Sequence, residues 1–225
     1  MISHSKRFIF IHIPKTAGSS ISDALAHHSR AIERVLYLRA VRKPVNALAT
    51  TFGLRNSGDS WITGVHQHAK ALDYLNFLGP QRFEEYYKFA CVRNPINWLV
   101  SEYLYIQRSR YHPRYETANL LNCNDFIQSR IAEGLPTQTS YLIVKEHISV
   151  NKILTVENLE ADINCLFRRL SLPKRDIPRL NFSNFEKKQE MLDSISQMTL
   201  SQVYEAYSED FSNFGYAKEP PCLLK

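Results

Sequence analysis

The sequence predicts an α/β fold built on a buried parallel sheet. Three observations carry that reading. Two compact apolar runs, FIFIHI at 8–13 and KFACV at 88–92, are rich in β-branched and aromatic residues. Runs of this kind, with little polar alternation, belong to strands buried on both faces, which is the habit of parallel sheets. Each run then gives way to a turn holding a proline and a basic residue, and after it to helical periodicity. Along the remainder of the chain, strand-like and helix-like stretches alternate. With 225 residues, 44% of them hydrophobic, the chain can bury a sizeable core, and it reads as a single domain over 1–225.

The first strand, 8–13, ends at Pro14, which has no N–H to donate to a ladder. From about Ser19 the pattern is helical, with Ile21, Ala24 and Leu25 on one face and 23–29 finishing the helix. The apolar run 35–41 reads as a second strand. Stretch 47–61 is ambiguous, with Gly53, Asn56, Ser57, Gly58 and Asp59 marking loop. A helix is predicted over 66–78 from the spacing of Ala69, Leu72, Leu75 and Leu78, ended by Gly79-Pro80. A short helix or turn occupies 83–87. After the strand at 88–92, Arg93-Asn94-Pro95 breaks the ladder. Pro95 suits a first helical turn, and Ile96, Leu99, Val100, Tyr103 and Leu104 make a helix face. Helix 123–131 is capped by Asn122 or Asn124. The stretch 138–144 is apolar and reads as beginning helical. A strand follows at 152–156 with Glu157 at its end, then a helix over 158–170 stopped by Leu172-Pro173. A final helix runs over 199–207, and 210–216 closes the chain's pattern.

The net charge of +6 and a pI near 9.1 point to anionic partners. No block of like charges forms a stripe for nucleic acid, so no nucleic-acid partner is expected. Lys6 and Arg7 precede an apolar run of only six residues, too short for a signal peptide or a membrane span. The expectation is a cytoplasmic protein without a transmembrane segment. Cys91, Cys123, Cys165 and Cys222 are widely spaced and form no zinc pattern; reduced thiols and no metal are expected.

The segment RFIFIHIPKTAGSSI at 7–21 organises the chemistry. A buried strand, a small-residue turn and a helix start together make an anion cradle, because free N–H groups and the helix dipole both favour phosphate. Lys15 adds a cation, Gly18 lets the backbone approach closely, and Thr16, Ser19 and Ser20 add hydroxyls around Ala17. The loop is not G-x-x-x-x-G-K-[ST], since the lysine leads and the only glycine follows three residues later. The plain alternative is an ordinary strand-to-helix turn with solvated polar residues. Ligands of open parallel sheets bind outside the carboxyl ends of the strands, and both Lys15 and Arg93 follow such strands. Ser101 lies two helical turns beyond Arg93 and could face the same phosphate. A capping or salt-bridging arginine and a plain helix serine are the competing readings.

With these residues in view, IPKTAGSS at 13–20 followed by FACVRNPINWLVSEY at 89–103 resembles the sulfotransferases that use 3′-phosphoadenosine 5′-phosphosulfate. The pattern is most similar to the carbohydrate sulfotransferases, including the heparan sulfate 2-O type, and to small bacterial relatives. The likeness continues in family order through HAKALDYLNFLG at 68–79, QTSYL at 138–142, TVENLEADINCLFRRL at 155–170 and YSEDFSNFGY at 207–216. The resemblance implies a P-loop-like central parallel sheet flanked by helices in three layers, α/β/α. It also implies roles. Lys15, Thr16, Ala17, Gly18, Ser19 and Ser20 would hold the 5′-phosphosulfate, with Lys15 also catalytic. Arg93 and Ser101 would hold the 3′-phosphate. A histidine before the HAKAL helix would be the general base. Here the match is His66-Gln67-His68, with His68 aligning best and His66 as runner-up; histidine suits the task because its ordinary pKa lies near neutrality. No metal is implied. The acceptor is a hydroxyl, expected on a saccharide.

Trp98 departs from the family, which often has arginine there, and could pack on adenine or on the core. Two rival functions remain open at this point. A nucleotide kinase would need a different loop and acidic metal ligands, and Glu157 is the only tempting carboxylate. A non-catalytic glycan- or partner-binding protein on a degenerate fold would fit the loss of that arginine. Tyr103, Tyr105, Tyr111, His112 and Tyr115, with Arg108, Arg110 and Arg114, form an aromatic and basic cluster suited either to an acidic saccharide or to a neighbouring subunit. The oligomeric state and the particular acceptor are not specified by the sequence.

Overall fold

The computed structural model describes residues 1–28, 65–173 and 185–218. The chain divides into two compact units, Met1–Val92 with Ser140–Leu180, and Arg93–Thr139 with Asn181–Lys225. In chain order the first unit opens with β1 (Ile2–Ser3), β2 (Phe8–Ile11), α1 (Gly18–Leu25), α2 (Ala71–Leu78), α3 (Pro80–Glu85) and β3 (Tyr87–Val92). The second unit supplies α4 (Pro95–Ile106), α5 (Tyr115–Leu120) and α6 (Cys123–Ala132). The first unit resumes with β4 (Ile143–Val144), β5 (His147–Ile148), β6 (Lys152–Thr155) and α7 (Leu159–Arg169). The second resumes with α8 (Phe185–Asp193), α9 (Gln197–Ala206) and α10 (Ser208–Phe214).

The first unit is the α/β part. Its main sheet has the order β1-β2-β3-β6. β2 and β3 run parallel, pairing Phe8 with Tyr87 and Ile11 with Ala90, and β3 runs parallel to β6, pairing Val92 with Thr155. Phe8, Phe10, Phe89, Cys91 and Leu154 share one buried cluster with Ile21 and Leu25 of α1 and Ile163, Leu166 and Phe167 of α7. The rings of Phe10 and Phe89 stack at 5.2 Å. Ile9, Ile11, Ala90 and Val92, which alternate with these along the strands, are just as completely buried. Both faces of the sheet are therefore covered, which is why the runs read as continuous apolar stretches. Each Phe, Ile, Leu or Val among them contributes about 1.5–3 kcal/mol by leaving water. The class read from the sequence, a parallel-sheet α/β fold with flanking helices, is the one found.

Several local expectations are corrected. β1, unseen in the sequence, adds an antiparallel edge to β2. β2 leaves the ladder at Ile11, so His12 and Ile13 lie beyond it. α2 begins at Ala71 rather than near His66, because the Lys70 N–H is taken by the Asp73 carboxylate at 2.7 Å, a cap that fixes the helix start. Gly79 (φ 77°) does end α2, but Pro80 at once starts α3. Stretch 138–144 forms one 3₁₀ turn over Thr139–Tyr141 and then β4, which pairs antiparallel with β5. Lys145 and Glu146 both take left-handed φ between them, as a two-residue hairpin turn of the primed type requires. The strand read at 35–41, the loop read within 47–61 and Cys222 fall outside the described residues.

The second unit is helical. Leu99, Val100, Tyr103 and Leu104 of α4 pack in one cluster with Phe126 and Ile127 of α6, Leu192, Val203, Tyr207 and Phe211. Trp98 belongs to this core. It is 3% exposed and meets the Tyr207 ring edge-to-face at 6.0 Å. The Asn94 side chain caps α4 by accepting the N–H groups of Ile96 and Asn97. Between the two candidates read for α6, Asn122 is the cap, accepting from the Asp125 N–H at 3.0 Å.

Candidate active site

The loop between β2 and α1 is built by backbone conformation as much as by side chains. Lys15 and Ala17 both adopt left-handed φ, 64° and 60°, and Thr16 between them does not. Such alternation turns successive N–H groups toward one side and makes a concavity for an anion. Two non-glycine residues in this region store about 1–3 kcal/mol each, a strain typical of functional loops. The first α-type hydrogen bond of α1 runs from the Ile21 N–H to the Ala17 carbonyl, so the N–H groups of Gly18 and Ser19 precede the helix's own ladder. No side chain of Ala17 can cap them. The Thr16 hydroxyl is fully buried and donates to the Ile13 carbonyl at 2.9 Å. Thr16 therefore shapes the turn through its side chain and can meet an anion only through its N–H. Ser20 is buried in the first helical turn, while Lys15 and Ser19 are partly exposed.

His12, at the exit of β2, was not singled out by pattern, yet it is central to this end of the sheet. Its ring is 4% exposed and stacks on Phe10 at 5.7 Å. It presses on the loop glycine so closely that a Cβ placed on Gly18 would lie 1.9 Å from His12 Cδ2 and Nε2. This close approach explains the glycine. His68 meets His12 edge-to-face at 4.6 Å, and His68 Nδ1 donates to the His12 carbonyl at 3.0 Å. A carbonyl oxygen only accepts, so in the neutral ring the proton sits on Nδ1 and Nε2 is the basic nitrogen. Gln67 Nε2 stands 3.5 Å from His12 Nδ1. His66 lies elsewhere on the same turn. It is exposed, and its Nε2 is 3.9 Å from the Asp73 carboxylate. The fold thus brings His68, and not His66, to the strand end that leads into Lys15–Ser20. A signal for His12 did exist in the sequence: it is the one polar residue inside the run FIFIHI.

Arg93 and Ser101 belong to the second unit. Arg93 follows β3 directly and is partly exposed; Ser101 is buried in α4. The Arg93 peptide is gripped by the Gln138 side chain, whose Oε1 accepts the Arg93 N–H at 2.9 Å and whose Nε2 donates to the Arg93 carbonyl at 2.7 Å. The N–H groups of Gln138 and Thr139 donate in turn to the two oxygens of Asp210, each at 2.8 Å. Burial pushes the Asp210 carboxyl above its usual range, partly opposed by these N–H donors.

The aromatic and basic cluster after Ser101 is divided by the fold. Tyr103 is buried and donates to the Leu121 carbonyl at 3.0 Å. Arg114 pairs with Glu133 at 2.7 Å, and its hydrogen bond holds that carboxyl below the ordinary range. Tyr111, 88% exposed, and Arg110 remain at the surface. Among the described residues no group of His, Cys, Asp and Glu side chains is arranged to hold a metal ion, and no helix is long and apolar enough to cross a membrane.

A model of the sulfotransferase family matches residues 1–217 of the chain. No curated protein and no solved structure matches it.

Proposed function

The chain belongs to the sulfotransferase family, and on that premise we propose that it moves a sulfuryl group from 3′-phosphoadenosine 5′-phosphosulfate to the hydroxyl of a saccharide. Both units are read as parts of one domain, since the family match runs through both. The supporting observation is the junction of β2 and α1, where left-handed Lys15 and Ala17, the leading N–H groups of α1 and the His12–His68 pair meet at one strand end. A loop of that form suits the 5′-phosphosulfate. Lys15 would offset charge growing on the oxygen that bridges sulfur and the 5′-phosphate as that bond breaks. His68 Nε2 would take the proton of the acceptor hydroxyl as its oxygen bonds to sulfur. Such in-line transfer depends on positioning and charge neutralisation more than on covalent catalysis. Arg93 and Ser101 would hold the 3′-phosphate, a charge that separates this donor from plain adenylates.

The test is transfer of ³⁵S from labelled donor to cell-envelope glycans, with titration calorimetry of 3′,5′-bisphosphoadenosine against ATP–magnesium. Lys15→Ala and His68→Ala should each lower turnover by about 10²-fold or more, and His66→Ala should not. Unimpaired transfer by both of the first two variants would remove the assigned roles. Tight bisphosphoadenosine binding without transfer to any acceptor would favour a glycan-binding protein on this fold. Preference for ATP–magnesium would favour a kinase.

A further inference from the structure

Beyond Val92, the last β3 residue paired with β6, the chain has to carry Arg93 out of the sheet and into α4. Arg93 keeps a strand-like pair of hydrogen bonds there, but the partner is a side chain. The Gln138 amide accepts from the Arg93 N–H and donates to the Arg93 carbonyl, at 2.9 and 2.7 Å. Gln138 is fully buried. Its own position is set one step further back, where the Asp210 carboxylate takes the N–H groups of Gln138 and Thr139 on separate oxygens. Asp210 is also fully buried. On the other side, Asn94 caps α4 through the N–H groups of Ile96 and Asn97. The Arg93 Cα is therefore held from both directions by groups that hydrogen-bond in directional, buried geometry.

We propose that Gln138 and Asp210 are positioning residues that hold the Arg93 backbone where its guanidinium can select the 3′-phosphate of the donor. The proposal rests on the 3′-phosphate role given to Arg93 above. A long side chain reaching a dianion loses alignment when its root wanders, and misplacements of about 1 Å are enough to cost about 10²-fold in rate where positioning drives catalysis. A glutamine clamp restrains that root without placing another charge near the ligand. Neither Gln138 nor Asp210 needs to touch the nucleotide.

The experiment measures dissociation constants of 3′,5′-bisphosphoadenosine and of adenosine 5′-monophosphate by calorimetry. The monophosphate constant divided by the bisphosphate constant reports the 3′-phosphate alone. Wild type, Arg93→Ala, Gln138→Met and the double variant are compared, with far-UV circular dichroism to confirm folding. Gln138→Met should lower the ratio by about 10-fold or more, by analogy with the losses that follow removal of the hydrogen-bond partners that orient metal ligands. Affinity for the monophosphate should move by less than about twofold. The double variant should lose nothing beyond Arg93→Ala, as coupled residues do. Asp210→Asn, which keeps the volume and one of the two acceptors, should shift the same ratio in the same direction by less. It serves as the reporter if Gln138→Met does not fold. A purely structural role would weaken both ligands alike or leave the ratio unchanged, and either result overturns the proposal while Arg93→Ala still collapses the ratio. If Arg93→Ala itself leaves the ratio intact, the 3′-phosphate assignment falls and the positioning role with it.

Discussion

Gly18 should tolerate no side chain while His12 is present, and should tolerate one when His12 is cut back. A methyl group on Gly18 would lie 1.9 Å from Cδ2 and Nε2 of the His12 ring and 2.7 Å from Cε1. Ordinary contacts between such atoms lie at about 3.5–4.0 Å. The imidazole would have to retreat by about 1.5–2 Å. It has little room to do so, being 4% exposed, stacked on Phe10 and set edge-to-face against His68. Overpacking of this kind costs about 1–3 kcal/mol. At roughly 2–4 °C per kcal/mol for a chain of this size, Gly18→Ala should lower Tm by about 2–12 °C. His12→Ala alone leaves a cavity and should also destabilise. In Gly18→Ala/His12→Ala the new methyl enters the space the ring left, so the double variant should be more stable than the sum of the two losses predicts. The interaction should be at least about 1 kcal/mol. Thermal and urea denaturation followed by far-UV circular dichroism give all four corners of the cycle. Additive losses, or a Gly18→Ala protein that melts like wild type, would refute the claim that the His12 ring dictates the glycine.

Two further predictions concern the second unit. Trp98→Arg, which restores the residue type common in the family, should not strengthen donor binding. It removes a buried aromatic worth about 3–5 kcal/mol and buries a cation, so Tm should fall by at least about 6 °C; a stable variant with tighter bisphosphoadenosine binding would refute the core role of Trp98. For Asp210 the sign of the pH dependence is unusual for a carboxylate. Its folded-state pKa is raised, chiefly by burial, so over the window above the ordinary value the folded chain binds more protons than the unfolded one. That part of the stability is present at low pH and is lost as pH rises. The stability of wild type minus that of Asp210→Asn, measured by urea denaturation between about pH 4 and pH 7, should decline with rising pH, and a flat or rising difference would contradict it.

Much of the first unit was legible in the residues. Strands buried on both faces favour apolar side chains on both, so the nearly continuous apolar runs FIFIHI and KFACV point to β2 and β3 without help from the rest of the chain. Pro95 and Asn94 similarly announced the start of α4 through chemistry local to one turn. The loop Lys15–Ser20 was legible as residue types, though not as conformation. Nothing in the letters says that Lys15 and Ala17, neither of them glycine, take left-handed φ. The start of α2 departs from the periodic pattern because the apolar spacing extends to Ala69, while the Asp73 cap holds the helix back to Ala71. That displacement matters for the site, since it leaves both histidines in a turn.

What the sequence settled by itself was the set of short-range patterns: buried runs, a lysine-bearing turn into a helix, and a second basic turn after the second buried strand. Those depend on neighbours within a few residues, where sterics and periodicity act. Which polar groups meet depends instead on how the whole chain packs. His12 touches His68 across 56 positions, Gln138 grips Arg93 across 45, and Asp210 holds Gln138 across 72. Buried polar groups must find partners wherever the packed chain supplies them, and that supply is a property of the folded interior rather than of any local stretch.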